Sequence, residues 1–289
     1  MLIIESLQIE VEIFINMCKY KLSVVTINYN NVDGLMDTIK SVVNQTNQDF
    51  EYIIIDGGST DGSVDVIKEC ADKIDYWISE KDGGIYHAMN KGIMVANGEY
   101  CIFMNSGDMF YNKDVIAQVL KRDKLCADIV TGPSYSEVDK EKIWWFPPIT
   151  IYFSTLYVGT LNHQSSFIKT SLLKEFPYDE SLKIVSDWKF FLESLIIANA
   201  TYKAIEIPIS RQDSRGASSD MNILLSERNN VLLDLFPERV LMDYNRVYIK
   251  LIFRLQGIFS RFFNYNKFVN YYIRSFFYHR SLKLMDRKD

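Results

Sequence analysis

Four short segments of the 289-residue sequence combine carboxylate or amide side chains with glycine, serine or tyrosine. They are Asn28-Tyr29-Asn30, Asp56-Gly57-Gly58-Ser59, Asp82-Gly83-Gly84 and Asn105-Ser106-Gly107-Asp108. Turn formation explains any one of them alone, because Asn, Asp and Gly are typical of turns. Four together favour a binding site. Carboxylates flanked by glycines, which let a ligand approach the backbone, suit a ligand that carries a metal-bound diphosphate.

The elements around these segments predict that the four converge. Apolar runs rich in Val and Ile predict strands, at Leu22–Asn28, Tyr52–Asp56, Tyr76–Ile78 and Tyr100–Met104. Helical spacing of apolar residues predicts helices between them, at Val32–Val43, Ser63–Cys70 and Ile85–Ala96. This alternation predicts an α/β fold with a doubly wound, mainly parallel sheet flanked by helices. In such sheets ligands bind beyond the carboxyl ends of the strands.

Several protein classes are excluded by missing patterns. The sequence has no GxxxxGK[ST] segment, which excludes the P-loop nucleotide-binding proteins. Its first strand-to-helix turn, INYNNVDG, lacks the GxGxxG pattern, which excludes the Rossmann-fold dehydrogenases. Its four cysteines are widely spaced and only three histidines occur, so neither a zinc cluster nor a disulfide framework is predicted. A reducing cytosol fits this usage best.

Charge is unevenly distributed along the chain. From Arg246 to Asp289 there are ten Lys and Arg residues but only two Asp, a net charge of +8, whereas the whole chain carries −5 and residues 1–245 therefore carry −13. This segment is also rich in Phe and Tyr. Basic and aromatic residues mixed on helices favour an anionic membrane surface, and a helix hairpin packed on the body is the alternative. The acidic body argues against nucleic acid as a partner.

The remaining segments predict neither a membrane span nor a signal peptide. The charge-free run Ile143–Ile168 is long enough to cross a bilayer, but Pro147, Pro148, Gly159 and many polar residues predict a loop or short strands. The first residues lack a basic region and a cleavage site. Because MCKYKLSVVT, from Met17, reads as a natural start, residues 1–16 are interpreted as an N-terminal extension.

Four sequence motifs resemble those of the family 2 glycosyltransferases, which use nucleotide sugars and have the GT-A fold. LSVVTINYN, YIIIDGGSTDGS, SEKDGGIYHAMNKGI and ANGEYCIFMNSGD occur in that family's order and spacing. The resemblance spans about residues 21–220 and is strongest to the branch that builds bacterial O-antigen, capsule and colanic-acid-type polysaccharides. It implies a GT-A domain over residues 17–220, with a donor half at about 21–131 and an acceptor half at about 132–220. Residues 221–289 are then a basic, aromatic, helical tail.

The resemblance also implies roles for the donor-side residues. Asp56 is expected to reach the uracil of a UDP-sugar, while the turn of Ile27, Asn28 and Tyr29 walls the base and ribose. Asp82 is expected on the ribose side.

The family's metal motif, Asp-x-Asp-Asp, corresponds to Asn105, Ser106, Gly107 and Asp108 in this sequence. Gly107 stands where the usual metal-binding carboxylate is, so either Asp108 supplies that contact to Mg2+ or Mn2+, or the metal is held more weakly. Such cations need only one or two protein carboxylates when substrate phosphate and water complete the shell.

Two residues of the acceptor half acquire roles from the same resemblance. Asp187, in Ser186-Asp187-Trp188, corresponds to the catalytic base, and the alternative is a carboxylate that only favours a helix N-terminus. Arg215, in the loop Ser210–Asp220, is expected to neutralise the diphosphate, or else is an exposed loop arginine. His163 lies nearby in sequence and is as compatible with a structural role as with a contact to donor phosphate or acceptor.

Together these features predict an inverting glycosyltransferase that moves a sugar from a UDP-sugar to a sugar acceptor on a polyprenyl diphosphate lipid. The enzyme is expected to be cytoplasmic and peripheral on the inner face of the cell membrane. The family's processive Gln-x-x-Arg-Trp motif is missing, which favours transfer of one sugar per encounter. Two alternatives stay open: a nucleotidyltransferase of similar sheet topology, and a catalytically inactive nucleotide-sugar-binding subunit, for which Gly107 is the argument.

Overall fold

The computed structural model of the chain describes residues 20–121, 124–138, 141–213 and 220–246. Its strands are β1 (Tyr20–Asn28), β2 (Glu51–Asp56), β3 (Tyr76–Ser79), β4 (Gly98–Phe103), β5 (Met109–Phe110), β6 (Ile129–Thr131), β7 (Ser134–Val138), β8 (Glu141–Trp145), β9 (Ser166–Lys169), β10 (Tyr202–Ala204) and β11 (Ser210–Gln212). Its α-helices are α1 (Val32–Val43), α2 (Ser63–Glu69), α3 (Ile85–Val95), α4 (Val115–Val119), α5 (Phe153–Val158), α6 (Thr170–Glu175), α7 (Ser186–Phe191) and α8 (Met221–Leu235).

Seven of the described strands form the main sheet, in the order β10-β6-β9-β4-β1-β2-β3. β9 runs antiparallel to both of its neighbours, and every other neighbouring pair is parallel. The carboxyl ends of β1, β2, β3, β4 and β6 therefore share one edge of the sheet, and β9 begins there. This edge is called the carboxyl edge below. The mainly parallel sheet confirms the predicted fold class.

Helices cover both faces of this sheet. Val24 and Ile54 belong to a buried cluster that also contains Leu35 of α1. On the other face α3 approaches β1 so closely that a β-carbon at Gly92 would lie 2.5 Å from Val25 Cγ1. Because successive strand residues point to opposite faces, these contacts place α1 and α3 on opposite sides. All six residues of β2 are buried, as its continuous apolar run predicts.

A smaller sheet has the strand order β5-β11-β7-β8. β11 pairs antiparallel with β5, and its register places Arg211 opposite Met109. Asp108 directly precedes Met109 in the chain, and Gln212 and Asp213 directly follow Arg211. This pairing therefore brings Asp213 next to Asp108, although the two residues are about one hundred positions apart in sequence.

The chain divides into two compact units, residues 1–219 and 220–289. The described part of the second unit is helical and consists of α8 and a helix at 238–246. Asp220 is the N-cap of α8, and its side chain accepts hydrogen bonds from the N–H groups of Asn222 and Ile223. The predicted extension at 1–16 and most of the basic, aromatic tail, residues 247–289, lie outside the described residues. None of the described helices is both long and apolar enough to traverse a bilayer.

Candidate active site

Asp56 is the centre of a hydrogen-bond network at the carboxyl edge. β1, β2 and β3 are in register there, so that Asn28, Asp56 and Ser79 are neighbours across three strands. The carboxylate accepts from Asn28 Nδ2 at 2.8 Å, from Ser59 Oγ and Ser79 Oγ at 2.6 Å, and from the N–H groups of Gly58 and Ser59. Burial raises the pKa of Asp56, but these hydrogen bonds outweigh burial and hold the pKa below its usual value. Asp56 is therefore a buried anion with both oxygens engaged.

Asn28 presents an acceptor for a ligand. Its Nδ2 donates to Asp56 and to Ser59, which fixes the orientation of the amide because a carboxylate only accepts. Its Oδ1 is buried and has no hydrogen-bond partner among the described residues. A buried acceptor without a donor is destabilising, so an N–H or O–H group of a bound ligand would satisfy Asn28.

Tyr29 and Asp82 border the same backbone position, Gly57. A β-carbon at Gly57 would lie 2.7 Å from Asp82 Oδ2 and 3.2 Å from Tyr29 Cδ2. Tyr29 is 67% exposed, and Asp82 Oδ1 accepts a hydrogen bond of 2.9 Å from the N–H of Gly84. An exposed ring beside a carboxylate suits a nucleoside, whose base can pack on the ring and whose ribose hydroxyls can donate to the carboxylate.

Hydrogen bonds connect β1 and the turn that follows it to the loop after β4. The carbonyl of Ile27 accepts a 3.0 Å hydrogen bond from the N–H of Ser106. Asn31 Nδ2 donates to the carbonyl of Ser106, also at 3.0 Å. The side chain of Ile27 belongs to the buried core, so Ile27 positions this loop through its backbone.

Asp213 places a carboxylate beside Gly107. A β-carbon at Gly107 would lie 2.7 Å from Asp213 Oδ2, and the N–H of Asp213 donates to Asp108 Oδ1 at 2.9 Å. Burial raises the pKa of Asp108 to about 6. The N–H of Asp213, His163 and a hydrogen bond from Gln164 act in the opposite direction, whereas the charge of Asp213 adds to the increase. A second carboxylate therefore lies beside Gly107, the position at which the family's motif has aspartate.

These two acids fit a hard divalent cation. Carboxylate oxygens are the ligands that Mg2+ and Mn2+ prefer, and Mg2+ is commonly bound by one or two of them together with substrate phosphates and water. Among the described residues there is no cluster of three or more His, Cys, Asp or Glu that could hold a metal by itself. Asp108 and Asp213 would therefore bind a cation only together with a phosphate-bearing ligand, whose oxygens would complete the coordination shell.

His163 joins Asp187 to the loop after β4. Its Nδ1 lies 3.0 Å from Asp187 Oδ2, and its Nε2 lies 3.3 Å from Asn105 Nδ2. A neutral imidazole that donates from Nδ1 and accepts at Nε2 satisfies both contacts. The side chains of His163 and Asp187 are only 15% and 16% exposed. Asn105 Oδ1 is buried without a partner among the described residues, which leaves one acceptor at this junction.

Tyr86 of α3 contacts the other oxygen of Asp187. Its hydroxyl lies 2.6 Å from the carbonyl of Ile184 and 3.3 Å from Asp187 Oδ1. Burial raises the pKa of Tyr86 well above its usual value, and the charge of Asp187 raises it further. The hydroxyl therefore stays protonated and acts as a donor. Asp187, in the first turn of α7, is thus held from two sides by groups from other elements.

The family model described as glycosyl transferase family 2 matches residues 23–180, more than half of the chain. The matched region contains the Asp56 network, the loop after β4 and His163. The chain belongs to glycosyl transferase family 2.

Relatives of this family 2 glycosyltransferase include an uncharacterized glycosyltransferase of Mycobacterium tuberculosis. The two are 33% identical over 213 residues, which cover 68% of this chain and 76% of the relative. The identity supports the family assignment. The predicted O-antigen, capsule or colanic-acid branch stays a prediction.

Solved structures of other glycosyltransferases have the same fold. S. aureus TarS 1–349 in complex with UDP-GlcNAc superposes with a TM-score of 0.60 at 19% identity, over 74% of this chain and 66% of TarS 1–349. The Pyrobaculum calidifontis mannosyltransferase PcManGT, in complex with GDP-Man and Mn2+, superposes with a TM-score of 0.51 at 16% identity, over 73% and 61%. The chain thus covers less than two thirds of the length of each of these structures. The likeness confirms the predicted GT-A fold.

The predicted site residues of this family 2 glycosyltransferase lie in two adjoining groups at the carboxyl edge. One group comprises Ile27, Asn28, Tyr29, Asp56 and Asp82, and the other comprises Asn105, Ser106, Asp108 and Asp187. Arg215 lies outside the described residues. Sequence reasoning missed Asp213 and Tyr86. The only signal for Asp213 was its place in the loop already singled out for Arg215.

Proposed function

We propose that this glycosyltransferase is an inverting enzyme that transfers one sugar from a UDP-sugar to a hydroxyl of an acceptor sugar. The acceptor is carried on polyprenyl diphosphate, and the product belongs to a bacterial surface polysaccharide such as O-antigen or capsule. The observation that carries the proposal is the contact of His163 with Asp187 on one side and Asn105 on the other. It joins a candidate base to the loop that bears Asp108.

Asp187 is the proposed general base. In a direct displacement the acceptor oxygen attacks the anomeric carbon, the bond from that carbon to the diphosphate oxygen breaks, and UDP leaves with that electron pair. Asp187 takes the proton from the acceptor hydroxyl as it attacks. Attack opposite the leaving group inverts the anomeric carbon, so that an α-linked donor gives a β-linked product.

His163 and Tyr86 are the proposed positioning residues of this base. Each makes a contact to a different oxygen of Asp187, at 3.0 Å and 3.3 Å respectively. Two contacts from separate elements limit rotation of the carboxylate. Orientation of a base toward its proton is a large part of its catalytic effect.

The first group of residues is the proposed uridine site. Tyr29 packs on the base, Asp82 accepts from the ribose, and Asn28 Oδ1 accepts from the uracil once bound. Asp56 supports this site by fixing Asn28 and the loop that follows β2. The proposed role of Arg215 is to neutralise the diphosphate.

Asp108 and Asp213 are the proposed protein ligands of Mg2+ or Mn2+. The cation, when bound, would supply positive charge for the diphosphate that departs. The carboxylate of Asp213 beside Gly107 also weakens the case for an inactive binding subunit, because that alternative depended on the missing carboxylate at Gly107. The nucleotidyltransferase alternative has no support in the Asp187–His163 contact.

Exposed apolar residues support the membrane part of the proposal. Ile149 and Tyr152 are 90% and 64% exposed, in a charge-free segment of the acceptor half. Aromatic and aliphatic side chains of this kind are favoured at a membrane interface. An enzyme held at the inner face of the cell membrane would reach an acceptor whose sugar lies close to the headgroups.

A thermal-shift panel of UDP-, GDP- and dTDP-sugars, each with and without Mn2+, tests the donor. A ligand that binds only the folded state raises the midpoint of unfolding. We expect UDP-sugars to give the largest increase, and to give more with Mn2+ than without. A larger increase with GDP- or dTDP-sugars would contradict the uridine assignment.

Asp187→Asn tests the base. We expect the rate of sugar transfer to fall by about two to four orders of magnitude, because that is the usual contribution of a general base. UDP affinity should be unchanged, since Asp187 is neither a residue of the proposed uridine site nor one of the two proposed metal ligands. The matched control is Asp49→Asn, which makes the same change at an exposed acid between α1 and β2. Equal transfer rates in the two variants would assign the base elsewhere.

A further inference from the structure

A cleft lies next to His163 at the carboxyl edge and is not used by the donor site described above. Its lining includes the aromatic and proline segment 145–148 together with the polar side chains of Ser134 and Asn162. The last residues of β6 and β8 and Ser165, which directly precedes β9, meet there, because β6 ends and β9 begins at this edge. The cleft is therefore a built feature of the sheet edge.

The hydroxyl group of Ser134 connects this cleft to the chain segments that bear His163 and Asp213. Ser134 Oγ accepts hydrogen bonds from Asn162 Nδ2 at 2.9 Å and from Gln212 Nε2 at 3.0 Å. Asn162 directly precedes His163, and Gln212 directly precedes Asp213. A ligand in the cleft would thus lie next to the chain segments that bear the positioning residue of the base and the proposed metal ligand.

The aromatic side of the cleft is exposed yet held in place. Trp145 is 38% exposed and pairs with Ser134 across the β7–β8 hairpin. Phe146 is 73% exposed, and its ring stacks on Trp144 with centroids 6.0 Å apart and an interplanar angle of 21°. The carbonyl of Pro148 accepts a 2.9 Å hydrogen bond from the hydroxyl of Tyr202. Large rings fixed in this way at the surface add little to the core and are suited to binding.

The chemistry of the lining favours a neutral carbohydrate. None of the described residues that line the cleft is charged, so the cleft offers no ion pair to an anionic ligand. An acyl chain could make no hydrogen bond with the Ser, Thr and Asn groups of the lining, so it would match only the aromatic side of the cleft. A pyranose presents an apolar C–H face to an aromatic ring and hydroxyl groups to polar side chains, and so matches both parts of the lining.

We propose that this cleft binds the sugar ring of the acceptor, with Trp145 and Phe146 as the stacking platform. The assignment rests on the proposed function, since it supplies the substrate whose hydroxyl Asp187 deprotonates. It gives the segment 145–148 a role in acceptor recognition, while Ile149 and Tyr152 farther along the chain remain available to the membrane.

Saturation-transfer NMR on the full-length, UDP-loaded protein tests the proposal. The probes are methyl glycosides of glucose, galactose, mannose and N-acetylglucosamine, and n-octanol serves as the apolar probe. The variants are Phe146→Ala and Trp145→Ala. The matched control is Ile149→Ala, which removes a 90% exposed apolar side chain from the same segment but outside the cleft lining. The UDP-induced thermal shift of each variant reports on its fold and its donor site.

We expect at least one methyl glycoside to bind the wild type. Its affinity should fall about tenfold in Phe146→Ala and Trp145→Ala and should be unchanged in Ile149→Ala. The UDP-induced shift should be the same in all four proteins. The proposal is overturned if no glycoside binds the UDP-loaded wild type, if Phe146→Ala and Ile149→Ala bind equally, or if only n-octanol binds. An absent UDP-induced shift in the wild type would instead contradict the proposed function itself.

Discussion

His163 is the residue whose two ring nitrogens contact different parts of the site. If it positions Asp187, His163→Ala should lower kcat at least tenfold, because the contact to Asp187 is lost. UDP affinity should be nearly unchanged, because the substitution does not alter the residues of the proposed uridine site. His163→Asn should recover part of the lost rate, since the amide nitrogen can replace Nδ1 as donor to Asp187. Steady-state kinetics with a UDP-sugar donor measure both effects.

The comparison of the two variants separates positioning from general destabilisation. A residue with a merely structural role would give equal kcat values in His163→Ala and His163→Asn and a lower midpoint of unfolding in both. Recovery of kcat by Asn without a change in that midpoint supports the positioning role. A rise in KM for the donor at constant kcat would contradict it.

Asp213 gives a second prediction at the scale of one residue. Asp213→Asn and Asp108→Asn should each weaken Mn2+ binding at least tenfold, because each removes one of the two proposed carboxylate ligands. Isothermal titration of Mn2+ into the UDP-bound protein measures this without reference to activity. Asp49→Asn is the matched control, since that exposed acid between α1 and β2 belongs to neither group of site residues. Unchanged Mn2+ affinity in Asp213→Asn would leave Asp108 as the protein ligand that the sequence predicted.

At the scale of elements, Asp56 ties the ends of β1, β2 and β3 together, and its loss should weaken the fold. Asp56→Asn should lower the free energy of unfolding by about 2 kcal/mol at pH 7, the usual contribution of hydrogen bonds to a charged group. The pKa of Asp56 is lower in the folded state than in the unfolded state. Its contribution to the free energy of unfolding is therefore fully present above the unfolded pKa of about 4, and it is lost as the pH falls through the folded pKa.

Urea unfolding of wild type and Asp56→Asn at pH 7 and pH 3 measures the effect. The difference between the two proteins should be smaller at pH 3. Asp82→Asn should change the free energy of unfolding by less than about 0.5 kcal/mol, although both variants should weaken UDP binding. A pH-independent difference would show that the charge of Asp56 is not what holds the strand ends.

The elements that hold the donor group were predictable from the sequence almost residue by residue. α1 has the predicted bounds, and β2 begins one residue earlier than predicted, at Glu51. β1 and β2 have a strand on each side in the sheet, and burial on both faces imposes continuous apolar runs on such strands. Local pattern and tertiary environment agree there, which is why local reasoning succeeds.

The acceptor half was predicted less well, because its elements are short and their partners are remote. The segment Ile143–Ile168, predicted as a loop or short strands, also contains the helix α5. β5 has two residues and pairs with β11, about one hundred positions away, which no local periodicity indicates. Asp213 was missed for this reason: its proximity to Asp108 follows from that pairing and not from any motif.

At the scale of the whole molecule, the residues of the proposed site and the excess of basic residues lie in different parts of the chain. The acids of the site lie in the first unit, within residues 1–219, whereas the basic excess lies in residues 246–289. The exposed apolar residues Phe146, Ile149 and Tyr152 are in the first unit as well. The domain boundaries at residues 16, 131 and 220 stay predictions from the sequence.

The basic tail gives the prediction for the intact protein. Each Lys or Arg near an anionic leaflet contributes about 1 kcal/mol, so four Arg→Gln substitutions at 254, 261, 274 and 280 should release most full-length protein from phosphatidylglycerol vesicles at low salt. The matched control substitutes Gln for the exposed Lys40, Lys73, Lys81 and Lys113 of the first unit, which removes the same charge. Sedimentation with vesicles measures binding, and UDP release from the donor checks the active site. Because salt screens such attraction, wild-type binding should also fall at high salt. Equal release of both variants would mean that overall charge, and not the tail, holds the enzyme at the membrane.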